Sequence, residues 1–234
     1  MKTRALKNYG ASVGVEVYDI DLDDENECME LGKLTADQCI VLLDKKIEAA
    51  NDYKKAAEIS GKDKELFYEA GRLYFLMNKY SDADYLLHKA LEMDRYYGDA
   101  IDMELKTVFE MRNYDAAINI SQMAIDKKRC GKSLYSHAVA HDSLGHIDQA
   151  DKYYRQAKAD DPKFMPTYAA LAFLNLKQGK VDEALNNVTI VLTKEPDNME
   201  AIYVRSMVYA AKKDMQSAIN DITRVLLTSP SDKA

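Results

Sequence analysis

Glycine, proline, tryptophan and cysteine are all scarce in this chain, and each shortage narrows the fold class. Among 234 residues there are 9 glycines, 4 prolines, 3 cysteines and no tryptophan. Glycine and proline form tight turns, so their scarcity argues against an all-β protein and favours helices. Cys28, Cys39 and Cys130 are too few and too far apart for a disulfide framework or a paired Cys-x-x-Cys metal site. A reducing compartment fits this cysteine content, although an oxidising one stays open.

Long apolar runs and clusters of basic residues are also missing. No apolar stretch has the length that crosses a bilayer, so a membrane is not an expected partner. The formal net charge is −7, and residues 1–30 supply most of it with eight acidic side chains against three basic ones. Since no basic stripe occurs in the nearly neutral remainder, nucleic acid is not an expected partner. Residues 1–10 lack the apolar region of a signal peptide, so we expect a cytoplasmic location, with a removed signal peptide and a periplasmic location left open.

An internal repeat of 34 residues dominates what is present. A proline recurs in the last three units, and an alanine recurs in all five. The prolines are Pro162, Pro196 and Pro230, and the alanines are Ala83, Ala117, Ala150, Ala184 and Ala218. They define five consecutive units, 64–97, 98–130, 131–164, 165–198 and 199–232. Each unit fits a helix A, a short turn and a helix B, because proline ends helix B and a small alanine lets the two helices approach closely.

This pattern resembles the tetratricopeptide repeat (TPR), and the resemblance covers residues 64–232. It implies an all-α, right-handed superhelical solenoid of antiparallel helix pairs. Gly145 and Gly179 stand at the expected turns between helix A and helix B. Two departures are visible. Arg95 and Arg129 replace the proline in the first two units. The second unit is also one residue short, so the position of its helix A in the repeat is uncertain by one residue.

Residues 31–63 are expected to form a degenerate helical pair that caps the N-terminal end of the array. Thr35 to Gln38 match a capping box, so a helix should begin near Ala36, and Ser60–Gly61 is a natural helix stop. One long helix is the alternative, since no glycine or proline marks an internal turn. Residues 1–30 form an acidic segment, weakly ordered or strand-like. It could be a remnant of an upstream domain, a flexible arm or an edge that pairs with another chain.

The last unit ends two residues before the chain does, without the polar cap that stacked repeats usually need. Its helix B should therefore leave Ile219, Ile222, Val225 and Leu226 partly uncovered. We expect either that the sequence is a fragment of a longer protein or that this end associates with another copy of the chain.

Three of the four histidines fall in one short stretch that resembles a zinc-binding helix. His137 and His141 are one helical turn apart, and His146 follows, as in metalloproteases. Ala138 stands where the general base of that motif belongs, however. Because the first two histidines also fall at packing positions of the repeat, we interpret them as structural residues and expect no metal.

Two further patterns resemble ligand sites but fail on their chemistry. Residues 19–30 place carboxylates as an EF-hand calcium loop does, yet Asp24 replaces the glycine that its sharp turn needs. Residues 131–133 end like a P-loop, but Asp126 stands at its first glycine, where a carboxylate would repel phosphate. We therefore expect no cofactor and no catalytic residues.

The resemblance also implies a binding surface. In TPR proteins the A helices line a concave groove, which holds an extended peptide or a partner helix through repeat positions 2, 5, 9, 12 and 13. Carried onto this chain, the principal groove residues are Tyr68, Arg72, Phe75, Asp102, Lys106, Phe109, Tyr135, Val139, Asp142, Phe173, Lys177, Tyr203 and Met207. We expect about half of the groove residues to be accessible, because others pack against adjacent A helices.

A chaperone tail is not the expected ligand. Chaperone-binding TPRs hold a terminal carboxylate with Lys at position 5 and Asn at position 9, and no unit here has that pair. The sequence thus predicts a non-enzymatic module that binds a protein or peptide. The alternatives are a structural or regulatory arm of a longer multidomain protein, including an enzyme, and, less favoured, a metal protein built on the histidines.

Overall fold

The structure is a computed structural model that describes residues 36–128 and 131–228. The predictions for residues 1–30 lie outside this range. Every element within it is an α-helix, which confirms the all-α prediction. The helices are α1 (Ala36–Ser60), α2 (Lys64–Leu76), α3 (Tyr80–Met93), α4 (Gly98–Glu110), α5 (Tyr114–Asp126), α6 (Lys132–Ser143), α7 (Ile147–Asp160), α8 (Met165–Lys177), α9 (Val181–Lys194), α10 (Met199–Ala211) and α11 (Met215–Thr228).

The prediction of a helical pair within residues 31–63 is wrong. Residues 36–60 form the single helix α1, as the alternative proposed, because no glycine or proline interrupts them. The helix ends at the predicted stop, where Gly61 has a φ of +61° and donates its N–H to the Ala57 carbonyl at 2.8 Å. The chain divides into two compact units within α1, Met1–Asn51 and Asp52–Ala234.

Helices α2 to α11 form five antiparallel A–B pairs in the second unit. The A helices begin at Lys64, Gly98, Lys132, Met165 and Met199, each within one residue of the expected start of a repeat. Each helix A packs on its own helix B, and each helix B packs on the next helix A. No described helix is both long and apolar enough to cross a membrane.

Small residues allow the close approach within each pair. Of the five recurring alanines, four have no exposed surface and the fifth, Ala218, is 9% exposed. In the first unit, helix A contributes Gly71, where an added Cβ would lie 2.7 Å from the Leu87 Cγ. That separation is shorter than two carbon atoms tolerate, so even a methyl group would force the Leu87 side chain to move.

The helices pack unequally along the stack. Neighbouring A helices contact each other, as in α2 with α4, α6 with α8 and α8 with α10, whereas no two B helices in the described part pack to the same extent. A stack whose A helices lie closer together than its B helices curves toward the A side. The A helices therefore form the inner face of the solenoid.

Each A-to-B turn contains one residue in the left-handed region. These residues are Asn78, Arg112, Gly145, Gly179 and Lys213, with φ values from 54° to 76°. The turns are Schellman motifs: in the last unit, the Lys213 N–H donates to the Ala210 carbonyl and the Asp214 N–H to the Tyr209 carbonyl. The two glycines match the prediction. At Arg112 and Lys213 no glycine marks the turn in the sequence. Each of these residues adopts a left-handed conformation, which costs a residue with a Cβ about 1 kcal/mol.

Replacing Lys213 with glycine should raise the free energy of unfolding by about 0.5 to 1 kcal/mol, because glycine adopts this φ without a Cβ penalty. The reciprocal change, Gly179→Ala, should lower it by a similar amount. Nothing lies within 4 Å of the added Cβ, so backbone strain is its main cost. Urea denaturation of both variants measures the two effects, and shifts of the same sign would contradict this account.

Candidate binding groove

The thirteen predicted groove residues lie at different depths on the A helices. Five of them are exposed, namely Asp102, Lys106, Phe173, Lys177 and Tyr203. Seven are half-buried, namely Arg72, Phe75, Phe109, Tyr135, Val139, Asp142 and Met207. The remaining one, Tyr68, is buried with 8% of its surface exposed and cannot serve as a free contact. The part these residues play in binding stays a prediction.

Aromatic residues at the fifth repeat position link consecutive units. The ring of Tyr68 stands edge-on to that of Tyr97 with their centroids 5.4 Å apart, and the ring of Tyr135 stands edge-on to that of Phe164 at 5.3 Å. Tyr97 and Phe164 immediately precede the next helix A, so these contacts join one repeat to the next. Tyr203 holds the same repeat position but is 45% exposed. It is the aromatic residue of this set that a ligand could reach.

Units four and five present the most accessible aromatic surface of the inner face. Phe173 is 37% exposed, and it lies on the A helix next to that of Tyr203. Lys177 places its Nζ 4.7 Å from the centroid of the Phe173 ring and pairs with an Asp142 carboxylate oxygen at 2.8 Å. This ion pair connects α6 and α8. Two predicted groove residues therefore bind each other and border an apolar surface.

Units one and two carry a different combination of side chains. Phe75 and Phe109 lie near the ends of their A helices, and each contacts the tyrosine that opens the following helix B. The ring centroids are 5.5 Å apart for Phe75 and Tyr80 and 6.2 Å apart for Phe109 and Tyr114. These contacts leave both phenylalanines half-buried, so only part of each ring is available to a ligand.

Charged side chains flank these phenylalanines. Arg72 pairs with Glu69 at 3.0 Å on α2, while Asp102 and Lys106 are exposed on α4. The inner face is thus more charged in the second unit and more aromatic in the fourth and fifth.

The three clustered histidines lie in a row, not around a common point. The His137 Nε2 is 3.2 Å from the His141 Nε2, and the His141 Nδ1 is 3.3 Å from the His146 Nδ1. Since His141 meets its two neighbours with different nitrogens, one ion could reach at most two of the three rings. Within the described residues, no group of three or more metal-ligating side chains is arranged to hold an ion.

Burial dominates the electrostatics of this row. His137 is 2% exposed, and burial together with the neighbouring His141 lowers its pKa to about 4. Burial and the neighbouring His146 also lower the pKa of His141. Tyr153 of α7 packs edge-on against His137 and parallel to His141. The two inner histidines are therefore surrounded by packing contacts and favour their neutral forms.

One strongly perturbed residue, Glu104, was not among the predicted sites. Its side chain is 3% exposed, its Oε2 has no hydrogen-bond partner, and its Oε1 lies 3.5 Å from the Nδ1 of His88. Burial, together with the nearby Asp84, raises the pKa of Glu104 to about 8. The missing residue in the second unit obscures the register here. The sequence does contain one signal for this residue. Glu104 occupies a packing position that holds Ala70 and Leu171 in other units.

Replacing Glu104 with glutamine should remove a pH dependence of stability. Because the pKa is raised in the folded chain, the stabilisation is complete below about pH 4.5 and is lost as the pH rises toward 8. At pH 8 the variant should be more stable than the parent by about 1 to 3 kcal/mol, since no buried carboxylate must ionise. Urea denaturation at pH 5 and pH 8 measures this difference.

Glu110→Gln is the matched control for this experiment, because Glu110 is exposed on the same helix. It should change stability by less than about 0.5 kcal/mol at either pH. Equal behaviour of the two variants would show that burial of Glu104 does not control the effect.

Comparison with known proteins agrees with this arrangement. The sequence family described as tetratricopeptide repeat matches residues 131–163, within the third predicted unit. The small glutamine-rich tetratricopeptide repeat-containing protein 2 of Saccharomyces cerevisiae is 36% identical over 107 residues, which are 45% of this chain. The match spans 31% of that relative's length.

Solved structures share the fold at lower identity. YrrB, described as a TPR protein with an unusual peptide-binding site, gives a TM-score of 0.60 at 20% identity, covering 79% of this chain and 95% of YrrB. MamA gives 0.62 at 15% identity, covering 71% of this chain and 92% of MamA. A chain of the APC/C hetero-tetramer Cut9–Hcn1 gives 0.63 at 18% identity, covering 87% of this chain and 42% of its own length. At these identities the likeness establishes the solenoid fold.

Proposed function

From the premise that this chain carries tetratricopeptide repeats, we propose that it is a non-enzymatic scaffold whose inner groove binds a peptide or helix of a partner protein. The observation that carries the proposal is the exposed aromatic surface formed by Phe173 and Tyr203 on neighbouring A helices. Aromatic side chains offer a large contact area with few rotatable bonds, and they are enriched where proteins bind each other. The proposed location is cytoplasmic.

The charges around this surface support a peptide as the ligand. Lys177 is held over Phe173 by its ion pair with Asp142, so a ligand would meet an already ordered rim. Asp102 and Lys106 add exposed charges on the helix A of unit two. An apolar anchor of the ligand would occupy units four and five, and polar groups would fix its direction along the groove.

The placement of the perturbed titratable groups supports a non-enzymatic role. Active sites combine shifted pKa values with access to substrate. Burial lowers the pKa of His137 and raises that of Glu104, yet both side chains are buried between helices. A substrate could not reach either side chain unless the stack of helices opened. Their burial is therefore typical of residues that hold repeats together.

A peptide selected from a random display library against the full chain provides the probe for the groove. Phe173→Ala should weaken its Kd by about tenfold or more, because truncating an aromatic anchor typically costs over 1 kcal/mol of binding free energy. Phe109→Ala should also weaken binding, by less, since that ring is half-buried. Isothermal titration calorimetry measures both effects.

Two control variants separate binding from folding. Tyr85→Ala removes a tyrosine that is 53% exposed on a helix B, so it should leave the Kd unchanged. Tyr68→Ala removes a buried ring and should lower the free energy of unfolding by about 3 kcal/mol, whereas Phe173→Ala should lower it by less than 1. Equal losses of binding in Tyr85→Ala and Phe173→Ala, or unfolding of Phe173→Ala, would contradict the groove proposal.

The last helix has a second apolar surface. On α11, Met215, Ile219 and Leu226 are 55%, 56% and 67% exposed, while Ile222 and Val225 are half-buried. This confirms the expected partial uncovering of that helix within the described residues. In unit four, the corresponding Leu185, Val188 and Leu192 belong to a core cluster that includes residues of α10. The same face of a helix B is therefore covered in one unit and open in the other.

We propose that a second copy of the chain covers this face. Met215, Ile219, Ile222 and Leu226 share one side of α11 and include no charge. A two-fold contact places a surface against its own copy, so an uncharged stripe avoids repulsion between like charges. In the other units, helix B packs on the next helix A, and in unit four the residues corresponding to the stripe take part in that packing.

Leu226→Glu should convert a concentration-dependent dimer into a monomer, because two copies would bury carboxylates against each other. Multi-angle light scattering after size-exclusion chromatography measures the mass. Tyr85→Glu is the control for a charge added at another exposed apolar position, and it should leave the dimer intact. A parent chain that stays monomeric at high concentration would contradict the proposal.

A further inference from the structure

The contact between units two and three contains a continuous set of polar side chains. The Ser121 Oγ of α5 lies 2.9 Å from the His137 Nδ1 of α6, and the His137 Nε2 lies 3.2 Å from the His141 Nε2. His141 in turn meets the exposed His146. The Ser121 hydroxyl donates a hydrogen bond to the Ala117 carbonyl at 2.6 Å, so the Ser121 Oγ can accept one from the His137 Nδ1–H. Ser121, His137 and His141 form what we call the inner row.

The inner row can hold only a limited number of protons. The contact between the two Nε2 atoms is a hydrogen bond only when one of them carries a proton, because two protons repel each other and two lone pairs do likewise. The Nδ1 atoms of His137 and His141 can each carry one more proton, directed at Ser121 and at His146. The nitrogens of His137 and His141 therefore have room for three protons in all. Two of these protons are already present when both rings are neutral. The pair accepts one positive charge in its present geometry, and a second charge would break the contact.

The surrounding helices offer little to balance a second charge. Helix α5 contributes the uncharged Ser121 and the Ile118 backbone, whose hydrogen bond with His137 favours the charged ring only enough to offset part of the burial. Helix α7 contributes Tyr153, whose ring has Lys152 above it at 5.2 Å. The Asp151 carboxylate of α7 is paired with Arg155, and the Asp142 carboxylate beside His141 is paired with Lys177 of α8. Among the described residues, no carboxylate forms an ion pair with His137, His141 or His146. A doubly charged pair would thus lie in a largely buried place without a carboxylate paired to it.

We propose that the joint between units two and three is a pH-responsive hinge, closed while His137 and His141 share one charge at most and opened when both are charged. The direction agrees with the electrostatics. Both pKa values are lowered in the closed joint, whereas an ordinary histidine titrates near 6.5. The stabilisation of the closed joint is therefore complete above about pH 6.5 and is lost as the pH falls toward 4.

An opened joint would also affect the proposed groove. The predicted groove residues Asp102 and Lys106 lie before the joint, and Phe173 and Tyr203 lie after it. Opening would separate these two parts of the inner face. The hinge itself does not rest on the groove proposal, because the row of side chains that forms it lies between α5, α6 and α7.

Amide hydrogen exchange at pH 7.5, 6.0 and 4.5 tests the hinge, with rates expressed as protection factors to remove the intrinsic pH dependence. Protection in α5 and α6 should fall by up to tenfold per pH unit for each extra proton bound, while α2, α3, α10 and α11 keep theirs. An equal fall in all helices would indicate global acid unfolding and overturn the proposal.

Two variants of the inner row isolate the cause. His137→Leu should abolish the acid response of α5 and α6, and leucine suits this position because Leu171 occupies it in unit four. His141→Gln leaves one titrating ring in the inner row and should reduce the response, since burial still lowers the pKa of His137. His88→Gln, which changes the histidine outside the cluster, should leave the response intact. An acid response that persists undiminished in both His137→Leu and His141→Gln would overturn the hinge.

Discussion

Close contact between helix A and helix B at small residues is the constraint on which the rest of the structure depends. Ala117, Ala150 and Ala184 have no exposed surface, and Gly71 leaves no room for a methyl group beside Leu87. Once two helices meet this closely, their remaining apolar side chains face outward along the stack. Each pair can bury those side chains only against another pair, so the units must associate in a linear array. The inner face of A helices is a consequence of that stacking.

The joints between helices share a backbone geometry but differ in the polar groups they bury. The seventh repeat position holds Glu104, His137 and Arg205 in three units. Arg205 makes two hydrogen bonds of 2.7 Å with Asp221, so both charges are compensated. His137 is compensated by neutral partners, and the Oε2 of Glu104 has none. Because an uncompensated buried group favours its neutral form, neighbouring joints of one array respond to pH in opposite directions.

The same repeat position can serve packing in one unit and exposure in another. Tyr68 and Tyr135 meet an aromatic residue just before the next helix A, whereas Tyr203 is 45% exposed. A family resemblance assigns all three to the groove, since it considers the position alone. Which of them a ligand can reach depends on a residue about thirty positions later in the chain, at Tyr97 for Tyr68. The accessible part of the groove is therefore narrower than the motif implies.

The sequence alone determined the all-α class, the repeat and the starts of the A helices to within one residue, because these depend on residue types at short, regular spacings. It left two possibilities for α1, since extending the repeat frame and counting helix breakers favoured different answers. Tertiary structure decided the burial of Tyr68, the unpaired Oε2 of Glu104 and the contact of His137 with Ser121. Each depends on side chains from separate helices meeting in space, and the spacing of residues along one helix does not contain that information.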